Sequence, residues 1–464
     1  MLVRSIILLS LIFKFAFAKN NSYLSLKQLL KSASEFHPEM MSQYEKIKQS
    51  EQDINIAKSF FDTKLNFENN YAANGFYDGS YFSTFFEQSL PWSSINLYGQ
   101  FKKSNGNFPD YEGHLETLSQ GEMSFGIEWS ILESFITDPR KIAILEAEFK
   151  NNIEVQQAQL VKIFFQEKAA QAFFKWKAYV KIFNTYQNLL ALAQNRQEGL
   201  IKRNKFGDLA TIYIEENQRY IFERERKVLL AKQLLDNAII ELLFFLRNSE
   251  GNIQYTPDTF KLEPDEIDEG ALSFEDTDSS AINNFPGLSI FLFRKKIIDQ
   301  TMQYLKIKRL PDLKIKTKYS KDLGTGSQSL APQEFDISSN FSFPLQNRKN
   351  KATYLKAKSK LRELNFSYQA EKEKLNNAYK QILVSKNTAQ KQLKVIQQEV
   401  TIAKKLAQAE RIRWENGDSN FLLVNLREQD LAATNIELIK THLALETLWV
   451  QNLGITNNFE KLLH

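Results

Sequence analysis

The sequence predicts a mainly α-helical chain with a separate β part, built as two structural repeats. Three observations lead there. Residues 347–416 contain neither Gly nor Pro, and the apolar positions Leu375, Tyr379, Ile382, Ala389, Leu393, Ile396, Val400, Ala403 and Ala407 keep a heptad spacing that breaks at Lys386. A similar stretch, residues 139–206, occurs earlier, with Gly199 its one Gly. Before each stretch lie segments in which apolar and polar residues alternate with period two.

A heptad spacing places a narrow apolar seam along one long helix, the pattern that helix-on-helix packing needs. About 70 residues at ~1.5 Å each make a rod of ~105 Å. Gly417, followed by Asp418 and Ser419, reads as a helix stop and then an N-cap, and a return helix is predicted over residues 420–453. Gly207 and Asp208 break the first copy in the same way, and the return there is predicted over 209–246. Glycine permits a backbone turn that other residues resist, and Asp208, Asp418 and Ser419 can cap the returning helices. Plain helix punctuation and a docking tip would use the same residues.

The flanks match as well. His37-Pro38 and a helix to about Phe60 precede the first strands; Phe285-Pro286 and a helix to about Arg309 precede the second. The repeat is therefore helix, strands, long helix, Gly-Asp turn, short helix. Each outgoing helix is longer than its return, so the two short helices of a copy are expected to stack end to end alongside it. The predicted boundaries are a secretory signal over 1–18, a first repeat over 19–248 (strands about 64–131, hairpin about 139–246), an acidic linker over 249–280 lying outside the helical rod, a second repeat over 281–454 (strands about 313–343, hairpin about 347–453), and a tail over 455–464. The signal rests on Arg4, a mostly apolar run to Phe13, and Ala16-Phe17-Ala18 before Lys19.

Composition narrows the function. The formal net charge is +5, and removing residues 1–18 takes away Arg4 and Lys14, leaving +3. That is too small and too dispersed a charge for nucleic-acid binding. The chain has no Cys, which excludes disulfides, thiolate metal sites, a Cys nucleophile and a Cys-linked lipid. The four His (His37, His114, His442, His464) lack metal-ligand spacing, and no phosphate loop or nucleophile motif occurs, so an enzyme is not expected and no cofactor is implied.

The period-two segments are Leu65 and Phe67; Met123, Phe125, Ile127, Trp129 and Ile131; Leu313, Ile315, Thr317 and Tyr319; and Phe335, Ile337, Ser339, Phe341 and Phe343. Each implies a strand with one apolar and one polar face. A half-buried soluble sheet fits that pattern taken alone. These strands, however, sit at the blunt end of very long helix pairs in an exported protein, and the chain has no spare helices to cover such a sheet. The expectation is therefore a transmembrane barrel, apolar outside and polar inside, with Glu122, Glu128, Lys314, Lys316, Lys318 and Asp336 facing the lumen. Four strands cannot close a barrel, so several chains must share one. Residues 81–121 could form an added hairpin, an outer loop, or a segment folded over the barrel mouth.

The stretch Trp414-Glu415-Asn416-Gly417-Asp418-Ser419-Asn420-Phe421-Leu422-Leu423-Val424-Asn425-Leu426-Arg427-Glu428 resembles the second-repeat turn of the TolC-like outer-membrane efflux protein family. Lys205-Phe206-Gly207-Asp208-Leu209 resembles its first-repeat partner, while residues 104–109 and Asp138-Pro139-Arg140 are similar to a subset of that family. The resemblance implies a homotrimer with a shared barrel of ~12 strands. It also implies a helical barrel across the periplasm, in the outer membrane of a Gram-negative bacterium. The tips (Gly207, Asp208, Gly417, Asp418, Ser419) would meet a periplasmic adaptor bound to an inner-membrane RND pump or ABC exporter. A constriction is implied near them, with Glu215, Glu216, Asn425, Arg427 and Glu428 as candidates. Function would be passive conduction out of the cell. The rival is a water-soluble exported coiled-coil adaptor or scaffold, although an adaptor should have one hairpin rather than two.

Overall fold

The computed structural model describes residues 23–72, 74, 79–106, 116–131, 138–257, 259–260, 263–264, 279–330 and 333–462. The predicted signal over 1–18 and most of the acidic run of the linker lie outside them. Seven helices are described: α1 (Leu26–Glu35), α2 (Pro38–Lys58), α3 (Pro139–Lys205), α4 (Ile212–Leu243), α5 (Pro286–Ile307), α6 (Arg348–Glu415) and α7 (Phe421–Thr456). The strands are β1 (Tyr23–Leu24), β2 (Lys64–Ala72), β3 (Gly79–Ser89), β4 (Ile95–Gly106), β5 (Gly121–Ser130), β6 (Glu263–Pro264), β7 (Asp312–Leu323) and β8 (Glu334–Ser342). None of the described helices is long and apolar enough to cross a membrane.

The long helices follow their periodicity. In α6 the seam residues Leu375, Tyr379, Ile382, Ala389 and Ala407 are buried, and Leu393, Ile396, Val400 and Ala403 are half-buried. Val384, Val395 and Ile402 lie off the seam and stay exposed. Burying one such Leu or Ile side chain contributes about 1.5–3 kcal/mol, so one stripe outweighs the weak propensity of the polar faces.

The chain forms two compact units. One comprises Met1–Met40, Lys162–Asp278 and Ala378–His464. Its aromatic core contains Phe173, Phe174 and Trp176 of α3 with Trp449 of α7, whose ring meets Phe174 edge-on at 6.2 Å. The end of α4 meets the α1–α2 junction beside α3. There the His37 ring packs tilted against Phe165 (4.1 Å) and Phe244 (4.9 Å), and Ser32 Oγ donates to the carbonyl oxygens of Phe245 and Arg247. The two short helices of the first repeat therefore do abut next to the long one. The linker departs from expectation. Phe260 is buried edge-on against Trp176 at 5.4 Å, and Glu263–Pro264 pairs in parallel with Tyr23–Leu24. An aromatic side chain with a large apolar area to bury holds this part of the linker on the helices.

The other unit comprises Met41–Val161 and Ser279–Asn377. It carries one six-stranded antiparallel sheet, in the order β2-β3-β4-β5-β7-β8. Four strands were expected. The additional pair is β3–β4, so the undecided segment resolves into a hairpin inserted between β2 and β5. Leu90 N–H closes its turn on the Ile95 carbonyl at 2.9 Å. Strict alternation fails here because Phe85 and Tyr98 are aromatics on the polar face, stacked with ring centres 6.1 Å apart. At the helix side, Asp138 caps α3, accepting from Arg140 N at 2.8 Å. The Arg140 guanidinium pairs with the Asp138 carboxylate, donates to Asn96 Oδ1 at 2.9 Å, and lies over the Phe61 ring. That cluster fixes the start of the long helix to β4.

Candidate functional site

Register settles which side chains share a face of the sheet, because residues directly opposite in a ladder point the same way. Leu65 pairs with Phe86, Phe86 with Gly99, Gly99 with Phe125, Phe125 with Tyr319, and Tyr319 with Phe335. Leu97, Ile127, Thr317 and Ile337 form a parallel row. One face is thus apolar across all six strands. The opposite face carries Lys102, Glu122 and Asp322 in one row and Gly126, Lys318 and Asp336 in another.

Burial is inverted relative to a soluble sheet. Most large side chains of the apolar face are exposed, from 36% at Leu97 to 72% at Tyr71, with Ile95, Phe101, Leu313 and Ile315 half-buried, whereas Ser83, Tyr98, Glu122, Ser124 and Ser320 of the polar face are all buried. The polar face is internally bonded. Glu122 takes Lys102 on one side and Lys318 Nζ at 3.0 Å on the other. Lys314 Nζ lies 3.9 Å from Glu128, and Lys316 Nζ sits 4.7 Å above the Tyr98 ring. All six strand residues expected to face the lumen share this face, and Asp336 stands opposite Lys318. The charges of these six residues balance.

The two turns belong to the other unit and share one geometry. Gly207 and Gly417 have φ of +77° and +84°, the left-handed region open to glycine. Asp208 N donates to Arg203 O at 3.0 Å and Gly207 N to Asn204 O at 2.9 Å. Asp418 N donates to Arg413 O at 2.8 Å and Gly417 N to Trp414 O at 3.1 Å. Both are Schellman closures, which satisfy the last carbonyls of α3 and α6. The aspartates and Ser419 do not cap the return helices. Asp208 pairs with Arg203 at 3.0 Å and Ser419 bonds Glu410. Asn420 caps α7 instead, accepting from Leu423 N at 2.9 Å, and Thr211 precedes α4 without a side-chain cap.

Of the five constriction candidates, Glu215 is exposed, and Glu216 and Arg427 are half-buried. Asn425 and Glu428 are instead turned inward. Glu428 Oε1 accepts from Arg196 Nη2 at 2.5 Å and Arg411 Nη2 at 3.2 Å, and its Oε2 lies 3.4 Å from Arg224 Nη2. Asn425 Oδ1 accepts from Arg196 at 2.8 Å and Arg224 at 3.0 Å, and Arg224 also donates to the Leu189 carbonyl at 2.6 Å. One carboxylate thereby joins α3, α4, α6 and α7. Burial holds the Arg224 guanidinium below the usual arginine range, and Glu428 opposes that shift. Sequence reasoning missed Arg196, Arg224 and Arg411, since charged residues on a helix read as solvated. Among the described residues, no group of His, Asp or Glu is arranged to hold a metal ion.

No protein-family model and no curated protein matches the sequence. Solved structures do match. CusC, a protein that forms a transmembrane channel, is 12% identical with a TM-score of 0.68 over 95% of each chain. The outer-membrane protein VceC of Vibrio cholerae is 12% identical, with a TM-score of 0.65 over 93% of this chain and 95% of its own. The outer-membrane channel MtrE of Neisseria gonorrhoeae, solved in an open state, is 11% identical, with a TM-score of 0.65 over 93% of this chain and 88% of its own. The chain has the TolC-like fold of these outer-membrane channels.

Proposed function

We propose that this chain is the subunit of an outer-membrane channel in a Gram-negative bacterium, a passive conduit for efflux or type I secretion. The observation that carries the reading is the inverted sheet: apolar residues exposed across six strands, polar residues bonded together behind them. In water an uncovered apolar face of this extent is strongly unfavourable, whereas in a bilayer it is the lipid-facing wall. Strands of 9–12 residues suit the ~9–11 residues with which tilted membrane strands cross the hydrocarbon.

In this reading three copies share the barrel, and the polar face with Glu122, Glu128, Lys314, Lys316, Lys318 and Asp336 lines the water-filled lumen. The helical part lies in the periplasm. The turns at Gly207-Asp208 and Gly417-Asp418-Ser419 dock a periplasmic adaptor joined to an RND pump or ABC exporter. Glu215, Glu216 and Arg427 supply charge near the constriction, and docking opens the tips by favouring a second arrangement of the helices. A soluble scaffold would leave the apolar sheet face in water. Cell fractionation tests the proposal. Recovery in the outer membrane, with conductance after reconstitution into planar bilayers, is the expected result, and recovery from the periplasm without detergent overturns it.

A further inference from the structure

On the channel reading above, we infer that the hairpin β3–β4 is part of the barrel wall, so that each copy supplies six strands and a trimer closes at eighteen. The hairpin is not an appendage at an edge. Among the described residues β2 pairs with β3 alone, and β5 reaches the first strands through β4. Nine residue pairs join β2 to β3 and eight join β4 to β5, so a wall without the hairpin would leave β2 detached.

The two inserted strands also match the wall chemically. They span 11 and 12 residues, against 9–12 for the others, so they cover the same height. Phe82, Phe86 and Leu97 continue the exposed apolar face. On the polar face Lys102 meets Glu122, and the Tyr98 hydroxyl crosses β5 to donate to Thr317 O at 2.8 Å. Inserting a pair preserves alternation. β2 leaves the helix side and β8 returns to it, so these two fully exposed edges of neighbouring copies meet antiparallel and the ring closes without a parallel joint.

Barrel diameter grows roughly in proportion to strand number, so eighteen strands enclose a lumen ~1.5 times as wide as twelve, with about twice the cross-section. The consequence is an outer pore that passes bulkier hydrated solutes than a wall of four strands per copy would allow.

The experiment uses the full-length protein purified in detergent. Its mass gives the copy number, and electron cryo-microscopy counts the wall strands. A trimer with eighteen wall strands is expected. A trimeric channel with twelve, the hairpin lying outside the wall, overturns the inference and leaves the channel reading intact; a detergent-free soluble protein overturns both. A second measurement does not need a map. The chain has no Cys, so a single spin label can be placed on the polar face by Ser338→Cys. Distances between copies ~1.5 times those of a twelve-strand trimer are expected, and distances matching the twelve-strand ring overturn the inference.

Discussion

Tyr98 lies across Gly126 and donates its hydroxyl to the carbonyl oxygen of Thr317, so one side chain of β4 spans β5 and reaches β7. A Cβ at Gly126 would stand 2.1 Å from that carbonyl oxygen and 2.3 Å from the Tyr98 ring. Gly126→Ala must therefore move the ring or the β7 backbone, at about 1–3 kcal/mol. Tyr98→Phe keeps the ring and loses one hydrogen bond, at about 0.5–1.5 kcal/mol. Thermal melts of the purified variants in detergent should rank wild type above Y98F and Y98F above G126A. A G126A protein melting with the wild type would show that the crowding is not felt.

Glu428 is the sole carboxylate bonded to both Arg196 and Arg224 among the described residues. Glu428→Ala leaves two buried guanidinium groups short of an acceptor and should cost about 3–5 kcal/mol. Asp430→Ala removes an exposed group 3.9 Å from Arg427 and should cost less than about 1 kcal/mol. Denaturant titration followed by helical circular dichroism compares the two; similar midpoints would mean that the buried network contributes nothing particular.

His37 gives the chain a pH-sensitive joint between α1, α3 and α4. It is buried, and its Nδ1 accepts from Glu39 N at 3.3 Å, which requires the neutral ring. Burial, with Arg247 adding to it and Glu39 opposing, holds its pKa below the usual histidine value. The folded state therefore resists protonation more than the unfolded chain does. Stability from the neutral ring is full above about pH 6.5 and is lost as pH falls through that unfolded value toward the folded one. His37→Gln should flatten the fall in melting temperature between about pH 7 and about pH 5. An unchanged slope in the variant would assign the acid sensitivity elsewhere.

Along α6, Ile382→Ala should cost about 2–4 kcal/mol, since the seam cannot refill the lost volume. Val384→Ala, two residues away and 67% exposed, should cost less than about 1 kcal/mol in the isolated chain. Chemical denaturation of the monomeric protein separates these; equal losses would remove Ile382 from the seam.

On β8, Ile337 lies on the apolar face and Ser338 on the polar one. Ile337→Arg places a charge where lipid is proposed and should cost about 2–4 kcal/mol of insertion, while Ser338→Arg should be nearly silent. The yield of each variant in the membrane fraction is the readout. Equal yields would argue that neither face meets lipid.

The sequence alone determined the features that depend on neighbours in the chain. A period of three and four residues makes one helix face apolar wherever the helix packs, so the α6 seam from Leu375 to Ala407 was legible, as were the Gly207 and Gly417 stops and the two faces of β5, β7 and β8. The tertiary structure alone decided what depends on residues distant in sequence. The β3–β4 pair stayed ambiguous because Phe85 and Tyr98 break the alternation, and their place on the polar face exists only once three strands lie side by side. The partners of Glu428 appear only once Arg196, 232 residues away, and Arg224, 204 residues away, are brought against it. Local periodicity fixes which face of an element is apolar, but the partner that neutralises a buried charge is chosen by packing between elements, and no spacing in one segment encodes it.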